Sequence, residues 1–171
     1  MLPDCFGFVS TLPSVWSHAG LLGFSTQKLT WRSTNGVPFN LGVWEGPDGK
    51  GLLAALNATD YTGSVVERLD KDKTWTARML GSISKFGVNV DFRYYGTGDV
   101  GGAPREKDVI NAVNSLKHDD GNFKVILTSS DQIFRDMTPE IREKLPAFSG
   151  DLLLTEHSAG SMISRMRNVP C

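Results

Sequence analysis

Val88-Asn89-Val90-Asp91-Phe92-Arg93-Tyr94-Tyr95-Gly96-Thr97-Gly98-Asp99-Val100-Gly101-Gly102-Ala103-Pro104 is the stretch on which the fold turns. Val88 to Tyr95 is rich in β-branched and aromatic residues and ends at a glycine, so it reads as a strand. Gly96 to Gly102 reads as a loop, and Pro104 opens a helix to His118 with Val109, Val113 and Leu116 on one face. Strand, loop and helix in that order are the unit of an α/β fold with parallel strands. Onward, Phe123 to Leu127 is another strand. Ser130-Asp131 caps a helix through Leu145 that Thr138-Pro139 breaks in two, and Leu152 to Thr155 is again a strand.

Toward the N-terminus, Leu12 to His18 reads as a short helix, with Leu12, Val15 and Trp16 at i, i+3 and i+4 and Gly20 as its stop. Gly23 to Leu29 has strand composition. Asn35-Gly36 turns the chain before Phe39 to Trp44, and Pro47-Asp48-Gly49-Lys50 turns it again before a buried-type strand at Leu52 to Leu56. Residues 36–56 are thus expected to form a hairpin insert. Val65 to Leu80 carries Val66, Leu69, Trp75 and Met79 among charges, the pattern of an amphipathic helix. At the start, Met1-Leu2-Pro3 is too short for the strand that a loop such as Asp4-Cys5-Phe6-Gly7-Phe8 should follow.

The chain has 171 residues, 40% hydrophobic and 22% charged, the size and composition of one globular domain. Eighteen Lys and Arg stand against nineteen Asp and Glu, so a net charge of −1 offers no electrostatic reason to bind nucleic acid or anionic lipid. No run approaches the roughly 18 apolar residues of a membrane span, and no signal peptide is visible. Cys5 and Cys171 stand at opposite ends of the sequence, which indicates neither a disulfide framework nor a thiolate zinc site.

Ligands of α/β folds gather at the carboxyl ends of strands. Three such ends carry chemistry here: Asp4, Asp99 and Glu156-His157. Gly96-Thr97-Gly98-Asp99-Val100-Gly101 matches GxGxxG, but Asp99 would set a negative charge where a pyrophosphate needs bare N–H groups. Gly102-Ala103-Pro104 also delays the helix that should cradle it. The glycines fit better as a means of close substrate approach around Asp99; the plainer alternative is a turn whose Asp caps the next helix. Asp4 has the same capping alternative, against which Phe6 and Phe8 offer apolar faces for a sugar ring. Two carboxylates on different strand ends are what glycoside hydrolysis needs. Lys28 could pair with Asp4 or be simply solvated. His157 has no HxxxH or HxH partner, so ligation is the minority reading on residues alone. His18 and His118 read as capping and surface histidines.

Pro3-Asp4-Cys5-Phe6-Gly7-Phe8, Gly23 to Leu29, Tyr94 to Glu106 and Leu152 to Ser161, taken together and in this order, resemble the catalytic domain of glycoside hydrolase family 38, the retaining α-mannosidases, most closely of bacterial type. The resemblance covers residues 1–164 and leaves 165–171 as an atypical tail. It implies part of a β/α barrel of seven parallel strands, lacking its first strand or strands. It also implies Asp4 as nucleophile and zinc ligand, Phe6 as the aromatic beside it, Asp99 as general acid/base, and His157 as a further zinc ligand. Lys28 falls where many relatives carry an arginine, which keeps the charge but loses the bidentate fork. The implied reaction is double displacement on a non-reducing α-mannoside. The family's His-x-Asp pair from the first strand has no counterpart here. The expectation is therefore a fragment with an incomplete zinc site and little activity or stability alone; the alternative is a non-catalytic carbohydrate-binding remnant or assembly partner.

Overall fold

The computed structural model describes residues 1–30, 36–56, 63–118 and 122–154. In chain order the elements are β1 (Gly7–Phe8), α1 (Leu12–His18), β2 (Gly23–Thr26), a 3-10 turn at Lys28–Thr30, β3 (Leu41–Glu45), β4 (Gly51–Leu56), α2 (Lys73–Phe86), α3 (Glu106–Lys117), α4 (Gln132–Arg135), α5 (Pro139–Arg142), β5 (Ala147–Ser149) and β6 (Leu152–Leu153). The fold is mixed α/β.

Four strands form one sheet in the order β2-β4-β3-β5. β2 runs parallel to β4, β3 antiparallel to β4, and β5 parallel to β3. Successive side chains of a strand point to opposite faces, and Gly51–Leu56 shows the consequence. Leu52, Ala54 and Leu56 join Phe8, Phe24, Leu29, Phe39, Trp44 and Leu152 on one face. Leu53 and Ala55 join Leu41, Trp75, Val88, Phe92 and Leu145 on the other. A run apolar at every position belongs in a sheet covered on both sides. Trp44, fully buried, is the hub of the first cluster: its ring lies 5.6 Å from Phe24, 6.1 Å from Trp16 and 6.4 Å from Phe8, and its Nε1 donates to the Gly150 carbonyl at 2.9 Å.

Several elements fall where the sequence puts them. α1 ends as expected: Gly20 adopts φ 77°, and Leu21 N–H to Trp16 and Gly20 N–H to Ser17, both 3.0 Å, close the two bonds of a Schellman motif. Pro139 begins α5, and the Thr138 hydroxyl accepts the Ile141 N–H at 3.3 Å.

Other expectations are corrected. The hairpin of β3 and β4 is no insert; β4 lies between β2 and β3 in the main sheet, because the all-apolar run needs cover on both faces. The helix expected over 65–80 starts at Lys73. Asp72 is its cap, accepting N–H bonds from Thr74 and Trp75 at 3.1 Å, and Gly87 at φ 66° ends it. Val88 to Tyr95 and Phe123 to Leu127 form no ladder among the described residues. Strand composition needs a neighbour to pair with. In its place, side chains tie the first segment to α2, Asp91 taking Arg78 at 2.8 and 3.1 Å and Arg93 reaching Asp72 at 2.7 Å. β6 pairs antiparallel with β1 rather than joining a parallel sheet. The turn at Asn35 and the 165–171 tail lie outside the described residues.

Candidate active site

Backbone pairing brings the first candidate carboxylate to its partner. The Leu2 N–H donates to the Ser25 carbonyl at 2.9 Å, and since both segments run the same way the next contact downstream is Asp4 on Lys28. Lys28 Nζ lies 2.6 Å from Asp4 Oδ1 and 5.1 Å from the centroid of the Phe6 ring. The lysine side chain is 3% exposed and the aspartate 48%. A buried ammonium is tolerated only with a paired anion, and the adjacent π face adds a second favourable contact. The Asp4 side chain therefore remains about half open to a ligand while its Oδ1 is oriented from within the protein.

The Asp4 loop is held at its far end as well. Gly7 and Phe8 pair with Leu153 and Leu152, and the Ser10 N–H donates to Asp151 at 2.6 Å. Phe6 is 39% exposed, so its ring is available as an apolar face beside the carboxylate.

Asp99 stands on a second, exposed loop. Its φ of 57° is the one positive value at a non-glycine among the described residues. Asp tolerates this left-handed region better than most side chains, and a residue kept in it is a pointer toward function. Gly101 (φ 68°) and Gly102 (φ 126°) carry the chain out of the turn, and the Thr97 hydroxyl donates to the Ala103 carbonyl at 2.9 Å across its neck. α3 begins at Glu106, well past Gly101. The loop thus lacks the helix N-terminus that a dinucleotide pyrophosphate would occupy.

The structure joins Asp4, Phe6 and Lys28 in one set of contacts and carries Asp99 on a separate loop. His157 lies outside the described residues. Among the described residues no three His, Cys, Asp or Glu side chains cluster as a metal site. A catalytic zinc takes three protein ligands, and no such set is assembled among the described residues.

A cluster that the sequence reading passed over joins α1 to the β3–β4 turn. Ser14 donates to Asp48 Oδ1, and His18 Nε2 lies 3.0 Å from Asp48 Oδ2. The Ser14 hydroxyl and the Lys50 N–H hold the Asp48 carboxyl down at about 2. Ser, His and Asp are the residue types of a nucleophilic triad, but Ser14 bonds the aspartate rather than the histidine, so the hydroxyl has no base. The signal was available: Ser14 and His18 are i and i+4 on one helix face. A cavity of about 580 Å³ between α2, α3, residues 89–95 and residues 123–130 is lined mainly by apolar side chains, and Asp4, Phe6, Lys28 and Asp99 are not among them.

The model of the glycosyl hydrolases family 38 N-terminal domain matches residues 1–151. The chain belongs to glycoside hydrolase family 38. It is 32% identical over 156 residues to alpha-mannosidase G of Dictyostelium discoideum, covering 91% of this chain and 14% of that protein. It is also 32% identical over 160 residues to human alpha-mannosidase 2C1, covering 92% and 14%. Against the alpha-mannosidase of Saccharomyces cerevisiae it is 29% identical over 170 residues, covering 91% and 15%. The crystal structure of an alpha-mannosidase from Enterococcus faecalis V583 superposes with a TM-score of 0.53 at 17% identity, covering 88% of this chain and 17% of the other, which is a likeness of fold. The chain thus spans about one seventh of the length of the curated relatives. The family is one of glycosyl hydrolases, and these relatives are named alpha-mannosidases.

Proposed function

We propose that this chain is the segment of a retaining α-mannosidase that carries both catalytic carboxylates. The observation that bears the reading is the Asp4–Lys28–Phe6 set: a half-exposed carboxylate, pinned through one oxygen by a buried ammonium, beside an exposed aromatic ring. Asp4 attacks the anomeric carbon of a non-reducing α-mannosyl unit while Asp99 protonates the departing glycosidic oxygen. Water then adds to the anomeric carbon as Asp99 takes its proton, and the bond to Asp4 breaks to release mannose. Lys28 fixes the direction of attack by holding the Asp4 oxygen that does not react, and Phe6 gives the sugar ring an apolar floor.

Zinc would be held by Asp4 and His157, and would supply a Lewis acid for the sugar hydroxyls. Of that pair, Asp4 is the donor that lies among the described residues.

Hydrolysis of an aryl α-mannoside with added zinc, for the chain and its Asp4→Asn and Asp99→Asn variants, tests the assignment. Turnover lost in both variants supports it, and turnover that survives Asp4→Asn overturns the nucleophile. Absence of turnover together with calorimetric binding of mannose would favour the other reading, a non-catalytic carbohydrate-binding remnant.

A further inference from the structure

Asp99 is held in a left-handed conformation on a glycine-rich loop, and such a loop positions a carboxylate only if something holds its two ends. One dipeptide, Gly63-Ser64, grips both. At the entry, the Gly96 N–H donates to the Gly63 carbonyl at 3.1 Å. At the exit, Arg105 donates through its guanidinium to the Ser64 hydroxyl. The same guanidinium forks onto Asp108 at 3.0 and 3.3 Å, and that carboxylate, in the first turn of α3, is 3% exposed. Ser64 is itself tethered, its carbonyl accepting from Arg93, which bonds Asp72 at the cap of α2 at 2.7 Å.

We infer that Arg105 and Ser64 are positioning residues for Asp99, closing the ends of its loop against α2 and α3. The inference rests on the reading of Asp99 as the acid/base but concerns the loop itself. The chemistry of the grip is specific. A planar guanidinium can serve the buried Asp108 and the Ser64 hydroxyl at once. A lysine at 105 retains the charge with less of the fork. With alanine the exit is released while the Thr97–Ala103 bond remains, so the loop swings as a unit rather than unravelling.

Amide hydrogen exchange of the full chain, with the ¹³C resonance of the Asp99 carboxyl as a second readout, tests the grip in Arg105→Ala, Arg105→Lys and Ser64→Ala. Arg105→Ala should speed exchange at Gly96 and Val100 by roughly fivefold, the effect of losing about one partly exposed ion pair, and should shift the Asp99 resonance. Arg105→Lys should restore most of both, and Ser64→Ala should give a smaller change in the same direction. Unchanged exchange in Arg105→Ala and Ser64→Ala overturns the inference. So does loosening of Val109 to Ala112 in step with the loop when Ser64→Ala has no effect, since that marks a helix-cap role alone. If Arg105→Ala does not fold, Ser64→Ala, which removes one hydroxyl, decides by the same amides. If Asp99 were not the acid/base, hydrolysis would survive Asp99→Asn while these exchange rates stood, so the two failures are separable.

Discussion

The Asp4–Lys28 pair can be measured directly. Its contact is 2.6 Å, with an ammonium 3% exposed and a carboxylate 48% exposed. Pairs exposed at both ends are worth about 0.2–1 kcal/mol, and removing one partner of a fully buried pair costs about 3–5 kcal/mol. With one partner buried and the other half in water, Asp4→Asn should fall between these limits, at about 1–2 kcal/mol. Lys28→Met keeps much of the buried stem and removes the charge, so that Asp4→Asn on the Lys28→Met background should cost close to nothing. The cycle of wild type, two single variants and the double variant, unfolded in urea and compared by midpoint at constant m, gives the coupling energy. A coupling of about 1–2 kcal/mol is expected. A value under about 0.5 kcal/mol would refute the argument that the buried lysine and Asp4 hold each other, and with it the proposal that Lys28 directs the attack.

Two further outcomes follow from the packing. Trp44→Ala, at a fully buried hub touching three other aromatics and bonding the Gly150 carbonyl, should cost about 3–5 kcal/mol in urea unfolding; a cost below about 1 kcal/mol would show that the first core cluster does not organise around it. The Asp48 clasp should show in the acid limb of stability. Its carboxyl sits at about 2 in the fold against an ordinary value of 3.8, so its contribution is complete above about pH 4 and is lost as pH falls toward 2. Unfolding midpoints measured from pH 5 to pH 2 should fall less in Asp48→Asn than in wild type, and parallel curves would count against the clasp.

How much of the site was legible depended on the range of each interaction. Local chemistry could be read: Gly20 ends α1 and Pro139 opens α5 because a left-handed cap and a fixed φ are properties of single residues. The pairing of Lys28 with Asp4 was legible as one option because both fall at strand ends, but the choice between a bonded and a solvated lysine needed the parallel alignment of residues 1–4 along β2. Asp72 as the cap of α2 was missed because the apolar positions of 65–72 continue the helical period; its side chain bonds to Thr74, Trp75 and Arg93 decided where the helix begins. The hairpin at 36–56 was visible as a hairpin from its turn residues, yet its place in the middle of the sheet depended on strands 25 and more residues away.

By itself the sequence determined the family, through motifs in a fixed order, and with it the candidates proposed for the chemistry: Asp4, Asp99, Phe6 and Lys28. The turn at Gly20 and the opening of α5 at Pro139 were set there too, since each depends on neighbours within a few residues. Only the tertiary structure decided which strands pair and in what sense. It buried Lys28 against Asp4, and it closed the Asp99 loop on Gly63-Ser64, more than thirty residues upstream. Composition specifies what a side chain can bond, but a contact between distant residues exists only once the folded chain has met the entropy cost of bringing them together.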